Sequence, residues 1–147
     1  MTGEMSEQER VAFLADAAAN PVGFCHAVLG LNLWGEQRRI VEAVRDYRLV
    51  SVRSGHGVGK STVAAALVIW YLTVFRPSIV LTTAPTTRQV KEVLWGEVHR
   101  LVNGSEMLRG KGQLNQIEWR FGPKWCALGL STTEADRFQG FHSQNIF

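Results

Sequence analysis

Apolar positions recur at helical spacing over much of this chain, with short β-branched runs between them. Val11, Phe13, Leu14 and Ala17 to Ala19 predict a short helix within residues 6–19, broken by Asn20-Pro21. A second helical piece over residues 23–29 closes at Gly30. Gln37, Ile40, Val41 and Val44 fall at i, i+3, i+4 and i+7 and predict a helix over residues 36–46. The period then changes. Leu49-Val50-Ser51-Val52 predicts a strand, a glycine-rich loop follows, and helical character resumes from Lys60 to Tyr71. Ser78 to Thr83 predicts a second strand, ended by Ala84-Pro85. The next helix has Val90, Val93, Leu94, Val98 and Leu101 on one face, with Thr86 or Thr87 as its N-cap. Residues 116–121 and 125–130 read as two strands of a hairpin turning at Gly122-Pro123-Lys124. Strands alternating with helices after residue 48 predict an α/β fold with parallel pairings, behind a helical lead-in over residues 1–35.

Composition narrows the class. A chain of 147 residues, 46% apolar and 20% charged, has the make-up of one globular domain rather than a disordered segment. The near-apolar run Val63–Phe75 is shorter than the ~20 residues a membrane span needs. Glu4, Glu7 and Glu9 give the N-terminus the wrong sign for a secretory or transit segment, so a cytoplasmic protein without a membrane partner is expected. Cys25 and Cys126 lack metal-ligand spacing and read as two reduced thiols. The formal net charge of +3 is unevenly spread. Residues 38–60 carry Arg38, Arg39, Arg45, Arg48, Arg53 and Lys60 against Glu42 and Asp46. That stretch suits a polyanion, although a solvated helix face accounts for Arg38, Arg39 and Arg45 equally well.

The chemistry concentrates in Ser54-Gly55-His56-Gly57-Val58-Gly59-Lys60-Ser61-Thr62, between a predicted strand and a predicted helix. The phosphate-loop pattern G-x-x-x-x-G-K-[ST] has Ser54 at its first glycine, and its Gly59-Lys60-Ser61 end is intact. Converging backbone N–H groups need conformations and close approach that glycine supplies without a Cβ penalty. The following helix adds unsatisfied N–H groups and its positive dipole end. Lys60 is the catalytic candidate, neutralising β- and γ-phosphate charge, and Ser61 is the Mg²⁺ candidate through its hydroxyl. Ala64, Ala65 and Ala66 then allow close helix–sheet approach. Gln37 is polar on an apolar face and needs a partner. Its amide matches the adenine edge, with Trp34 beside the base, and a backbone cap near the sheet is the alternative.

Residues 31–37, 53–61 and 82–90, in that order, resemble the N-terminal ATPase region of phage terminase large subunits, the motors that package viral DNA. The resemblance spans roughly residues 20–147 and implies an α/β P-loop NTPase with a RecA/helicase-like core. It implies an incomplete three-layer sandwich, with residues 36–147 forming the first part of the ATPase domain. By the same resemblance Gln37 reads adenine, Lys60 and Ser61 hold ATP and Mg²⁺, and Thr83 to Gln89 lies near DNA or serves coupling. Double-stranded DNA, portal and small terminase subunit, and further copies of the chain are the implied partners in the complete protein. A family arginine inside the loop has no counterpart here; Arg53, Arg88, Arg137 or a neighbouring subunit remain candidates for that charge.

Hydrolysis also requires acids to hold Mg²⁺ and orient water. Among the 13 acids, those after the loop are Glu92, Glu97, Glu106, Glu118, Glu134 and Asp136, and none ends an apolar strand. In terminases a segment like residues 138–143 leads into the strand bearing the paired acids, and Ile146 and Phe147 would begin it. A fragment ending before the Walker B strand is therefore expected, catalytically incomplete by itself, with the nuclease domain beyond it. Two alternatives stand beside the packaging ATPase: a helicase-like nucleic-acid ATPase, and a non-catalytic nucleotide-binding remnant of a prophage gene.

Overall fold

The computed structural model describes residues 3–55, 57–132, 136, 139–142 and 145–147. Helix α1 (Glu7–Ala19) begins with a reciprocal cap: Ser6 Oγ accepts the Glu9 N–H, and the Glu9 carboxylate accepts the Ser6 N–H. Asn20 ends α1 and caps α2 (Pro21–Leu29) by accepting the Gly23 N–H at 2.9 Å. Helix α2 therefore starts at its proline rather than at Gly23, because proline suits a first turn that needs no amide donor. Gly30 closes it in the left-handed conformation, φ 64°. Helix α3 (Gly35–Asp46) follows.

Helix α4 (Lys60–Val74) is the centre of the core. Ala65, Ala66, Ile69 and Leu72 are fully buried, whereas Ala64 is exposed and takes no part in helix–sheet approach. The lead-in packs into this same core through Ala17, Phe24, Cys25, Val28 and Leu33. The Trp70 indole donates to the Ala17 carbonyl at 2.8 Å and the Ser105 hydroxyl to the Val28 carbonyl at 2.7 Å. Both cysteines are free and buried, and burial pushes the Cys25 thiol up to about 11. No single described helix is long and apolar enough to cross a membrane.

Strand β1 (Ile79–Ala84) leads through a six-residue π-helix (Gln89–Leu94) into α5 (Trp95–Gly104). Then come β2 (Gln113–Asn115), β3 (Glu118–Gly122) and β4 (Trp125–Ser131). The sheet order is β1-β4-β3-β2; β1 and β4 are parallel and the other pairs antiparallel. The β3–β4 hairpin agrees with the sequence pattern, whereas the parallel pairing joins β1 to the hairpin strand β4 rather than to residues 49–52, and the sheet is mixed. Strand β2 had no signal there, and Gln116 lies in the β2–β3 turn rather than in a strand.

Two further expectations are corrected. Residues 49–52 form no strand: Leu49 is 90% exposed and no described strand pairs with the run. Its composition suits a strand, but a strand is a hydrogen-bonded pairing and needs a neighbour. The free side of β1 is instead met by the chain end. Ile79 N–H donates to the Asn145 carbonyl and Phe147 N–H to the Ile79 carbonyl, each at 2.9 Å, with Ile146 bridged in parallel to Ile79. The second correction concerns the helix after β1. Thr86 caps it by accepting the Gln89 N–H, as expected, but the π-turns insert an extra residue into the helical period. Val90, Val98 and Leu101 remain buried, Val93 swings out to 50% exposure, and Trp95 takes the core position at 0%.

Candidate functional site

The glycine-rich segment reaches α4 through two residues in the left-handed region, Gly57 at φ 74° and Gly59 at φ 80°. These turns place the segment ahead of the first turn of α4, whose N–H groups have no intrahelical acceptor. Lys60 Nζ donates to the Ser54 carbonyl at 3.1 Å, so the ammonium closes back across the loop onto the first residue of the motif. Ser61 and Thr62 continue the first turn, both half-buried. A glycine turn ahead of a helix N-terminus, with an ammonium over it, suits an anion with several acceptor oxygens.

A cavity of about 120 Å³ adjoins the loop, lined by Trp34, Glu36, Gln37, Ile40, Val52, Arg53, Ser54, Val58, Lys60 and Val63. It brings together Trp34, Gln37, Ser54, Val58 and Lys60 from the nucleotide-binding candidates with Arg53, one of the candidates for the missing loop charge. Trp34 stands at the α3 N-cap and is 50% exposed. Gln37 finds the partners its position demanded within the protein backbone. Its Oε1 accepts the Trp34 N–H at 3.2 Å, and its Nε2 donates to the Val58 carbonyl at 3.5 Å. The backbone-capping alternative thus describes Gln37 here, and the same side chain ties α3 to the loop.

That tie makes Gly59 the tightest position in the loop. A Cβ there would lie 2.5 Å from Gln37 Nε2, whereas one at Gly57 would meet nothing within 4 Å. Gly57→Ala is expected to cost only the left-handed backbone term, about 1–2 kcal/mol. Gly59→Ala should cost more, because the Gln37 amide must also move. Urea denaturation of both variants checks the order; equal losses would contradict this placement of Gln37.

Thr62 is engaged away from the cavity. Its hydroxyl donates to Glu97 Oε2 at 2.8 Å. Arg100 holds the same carboxylate, with Nε 3.2 Å from Oε1 and Nη2 2.8 Å from Oε2. The Arg100 hydrogen bonds first, with Thr62 adding to them, hold the Glu97 carboxyl below its usual range, against the opposing effect of burial. In the sequence Glu97 is one of the acids that end no apolar strand, and no local spacing connects two residues 35 positions apart.

The basic stretch is largely satisfied within the chain. Arg38 donates to the Leu33 carbonyl, Arg39 pairs with Glu36, and Arg45 pairs with Asp46 while reaching the Ala19 carbonyl. Arg88 pairs with Glu92 at 2.7 Å on the surface, its side chain 83% exposed, and Lys91 is exposed beside it. His56, Glu134, Arg137, Phe138 and Ser143 lie outside the described residues. Among the described residues, no three His, Cys, Asp or Glu side chains gather as a metal cage. A Mg²⁺ bound at Ser61 would take most of its ligands from phosphate and water, as this ion does with nucleotides.

Comparison of the chain with protein-family models, curated proteins and solved structures gave no match.

Proposed function

We propose that this chain binds ATP with Mg²⁺ through residues 54–62, as the nucleotide-gripping part of a DNA-packaging ATPase of the terminase large-subunit kind. The observation that carries this reading is the loop itself. Two left-handed glycines lead to the N-terminus of α4, and Lys60 reaches back to Ser54 in the position where phosphate oxygens would replace that carbonyl. In the nucleotide complex Lys60 meets the β- and γ-phosphates, the Ser61 hydroxyl contributes to the Mg²⁺ shell, and Trp34 with Gln37 borders the base. A P-loop NTPase core, ATP hydrolysis in a complete protein and translocation of duplex DNA belong to the same proposal, supported by the order of motifs at residues 31–37, 53–61 and 82–90.

Within these residues we expect binding without appreciable turnover. Glu36 borders the cavity and Glu97 reaches Thr62, but both stand on helices and are held by arginines. Hydrolysis requires an acid free to orient a water molecule. Titration of the 147-residue chain with a fluorescent ATP analogue, with and without Mg²⁺, tests the reading. Saturable binding strengthened by Mg²⁺ supports it. An isotherm unchanged by Mg²⁺ and not displaced by ATP would overturn it, and steady hydrolysis by this chain would overturn the claim of incomplete catalysis.

A further inference from the structure

We infer that Glu97 is a positioning residue that carries the state of the phosphate loop to the helix following β1. This rests on the proposed nucleotide site. Thr62 belongs to the first turn of α4, immediately after Ser61, and its hydroxyl is held by Glu97 at 2.8 Å. Glu97 lies in the first turn of α5, which continues without a break from the π-helix over Gln89–Leu94. That π-helix, on which Lys91 is exposed, in turn follows the Thr86-capped start, where Arg88 is exposed. The Thr62–Glu97 hydrogen bond therefore connects the loop to the solvent-facing segment that carries Arg88 and Lys91.

Electrostatics gives the contact a direction. A carboxylate beside the N-terminal turn of α4 is stabilised by that helix's positive end, and an incoming phosphate seeks the same end. Two anions near one helix terminus repel, so phosphate arrival weakens the hold of Glu97 on Thr62 or moves the carboxylate with its helix. Arg100 keeps Glu97 charged and oriented through both of its hydrogen bonds, so the carboxylate moves as part of α5. A π-helical segment adjoins this point, and such segments are rare and recur at functional sites.

Amide hydrogen exchange of the 147-residue chain, measured with and without Mg²⁺ and the same ATP analogue, tests the inference alongside direct titration. In the wild-type chain nucleotide should change exchange at residues 57–63 and also at residues 89–100, the latter by at least about threefold, the size of a modest coupling between contacting groups. Glu97→Ala should keep the response at 57–63 and lose it at 89–100. Glu97→Gln, which still offers Thr62 an acceptor oxygen but carries no charge for phosphate to repel, should lose the response at 89–100 as well; a purely structural role would alter baseline exchange and leave the nucleotide-induced difference in place. Nucleotide binding with no response at 89–100, or with the same response in Glu97→Ala, overturns the inference while leaving the proposed site intact. Absence of nucleotide binding in the titration overturns both.

Discussion

Lys60→Ala is expected to weaken binding of Mg²⁺·ATP by about ten- to a hundredfold, the loss of a charge-assisted hydrogen bond worth about 1.5–3 kcal/mol. Its effect on folding should be small. Lys60 is exposed, and its ammonium makes a hydrogen bond to the Ser54 carbonyl at the loop surface. Removing such a contact changes stability by about 0.5 kcal/mol or less. The two measurements thus separate: a shifted isotherm with an unchanged urea midpoint. Lys60→Arg keeps the charge, but a planar fork fits poorly where a flexible point charge must reach into a glycine cradle, so only partial recovery is expected. An Ala variant binding within twofold of wild type would remove Lys60 from the site, and with it the strongest reason for placing a nucleotide there.

Trp95→Ala should cost about 3–5 kcal/mol, a large part of the ~5–15 kcal/mol that separates folded from unfolded chains of this kind. The ring is fully buried over the β1–β4 pairing, and its indole N–H donates to Thr82 Oγ1 at 3.0 Å. Thr82 passes its own hydrogen to the Leu128 carbonyl at 3.0 Å. Opposite Thr82 in the parallel register stands Gly129, where an added Cβ would sit 2.6 Å from Trp95 Nε1 and from Val90 Cγ1. The ring lies in the space that the missing side chain leaves, and alanine at residue 95 would turn that space into a cavity. Val93→Ala, at a 50% exposed position, should stay within about 0.5 kcal/mol. An uninterrupted α-helix with the predicted face would make Val93 the costly residue, so urea denaturation of the two variants also tests the π-helical register. A larger loss for Val93→Ala would reject it.

The difference between these two residues shows where sequence reading fails. Val90, Val93, Leu94, Val98 and Leu101 satisfy a helical period, and period alone cannot announce that one turn will take an extra residue. Packing decided it, because Trp95 carries a much larger apolar side chain than Val93 and Gly129 offers it a seat. Residues 49–52 fail for the complementary reason. Their composition is that of a strand, but no described strand lies beside them. Val50 and Val52 line an open, mostly apolar trough of about 260 Å³ with Ile40, Val44, Val63, Ala64, Leu67 and Lys60.

By itself the sequence determined the elements whose causes are local. Caps at Ser6, Asn20 and Thr86, the stop at Gly30, the α3 face and the β3–β4 turn each follow from a few neighbouring residues and short-range hydrogen bonds. It also determined the glycine positions of the loop, since Gly57 and Gly59 adopt backbone angles that side chains resist. Only the tertiary structure decided what Gln37 and Thr62 touch. Gln37 reaches a loop carbonyl 21 residues away and Thr62 a carboxylate 35 residues away, and such contacts depend on how helices pack, not on spacing along the chain. Tertiary structure likewise left Leu49 in solvent and put Trp95 in the core, because burial is settled by which surfaces find partners rather than by hydrophobicity alone.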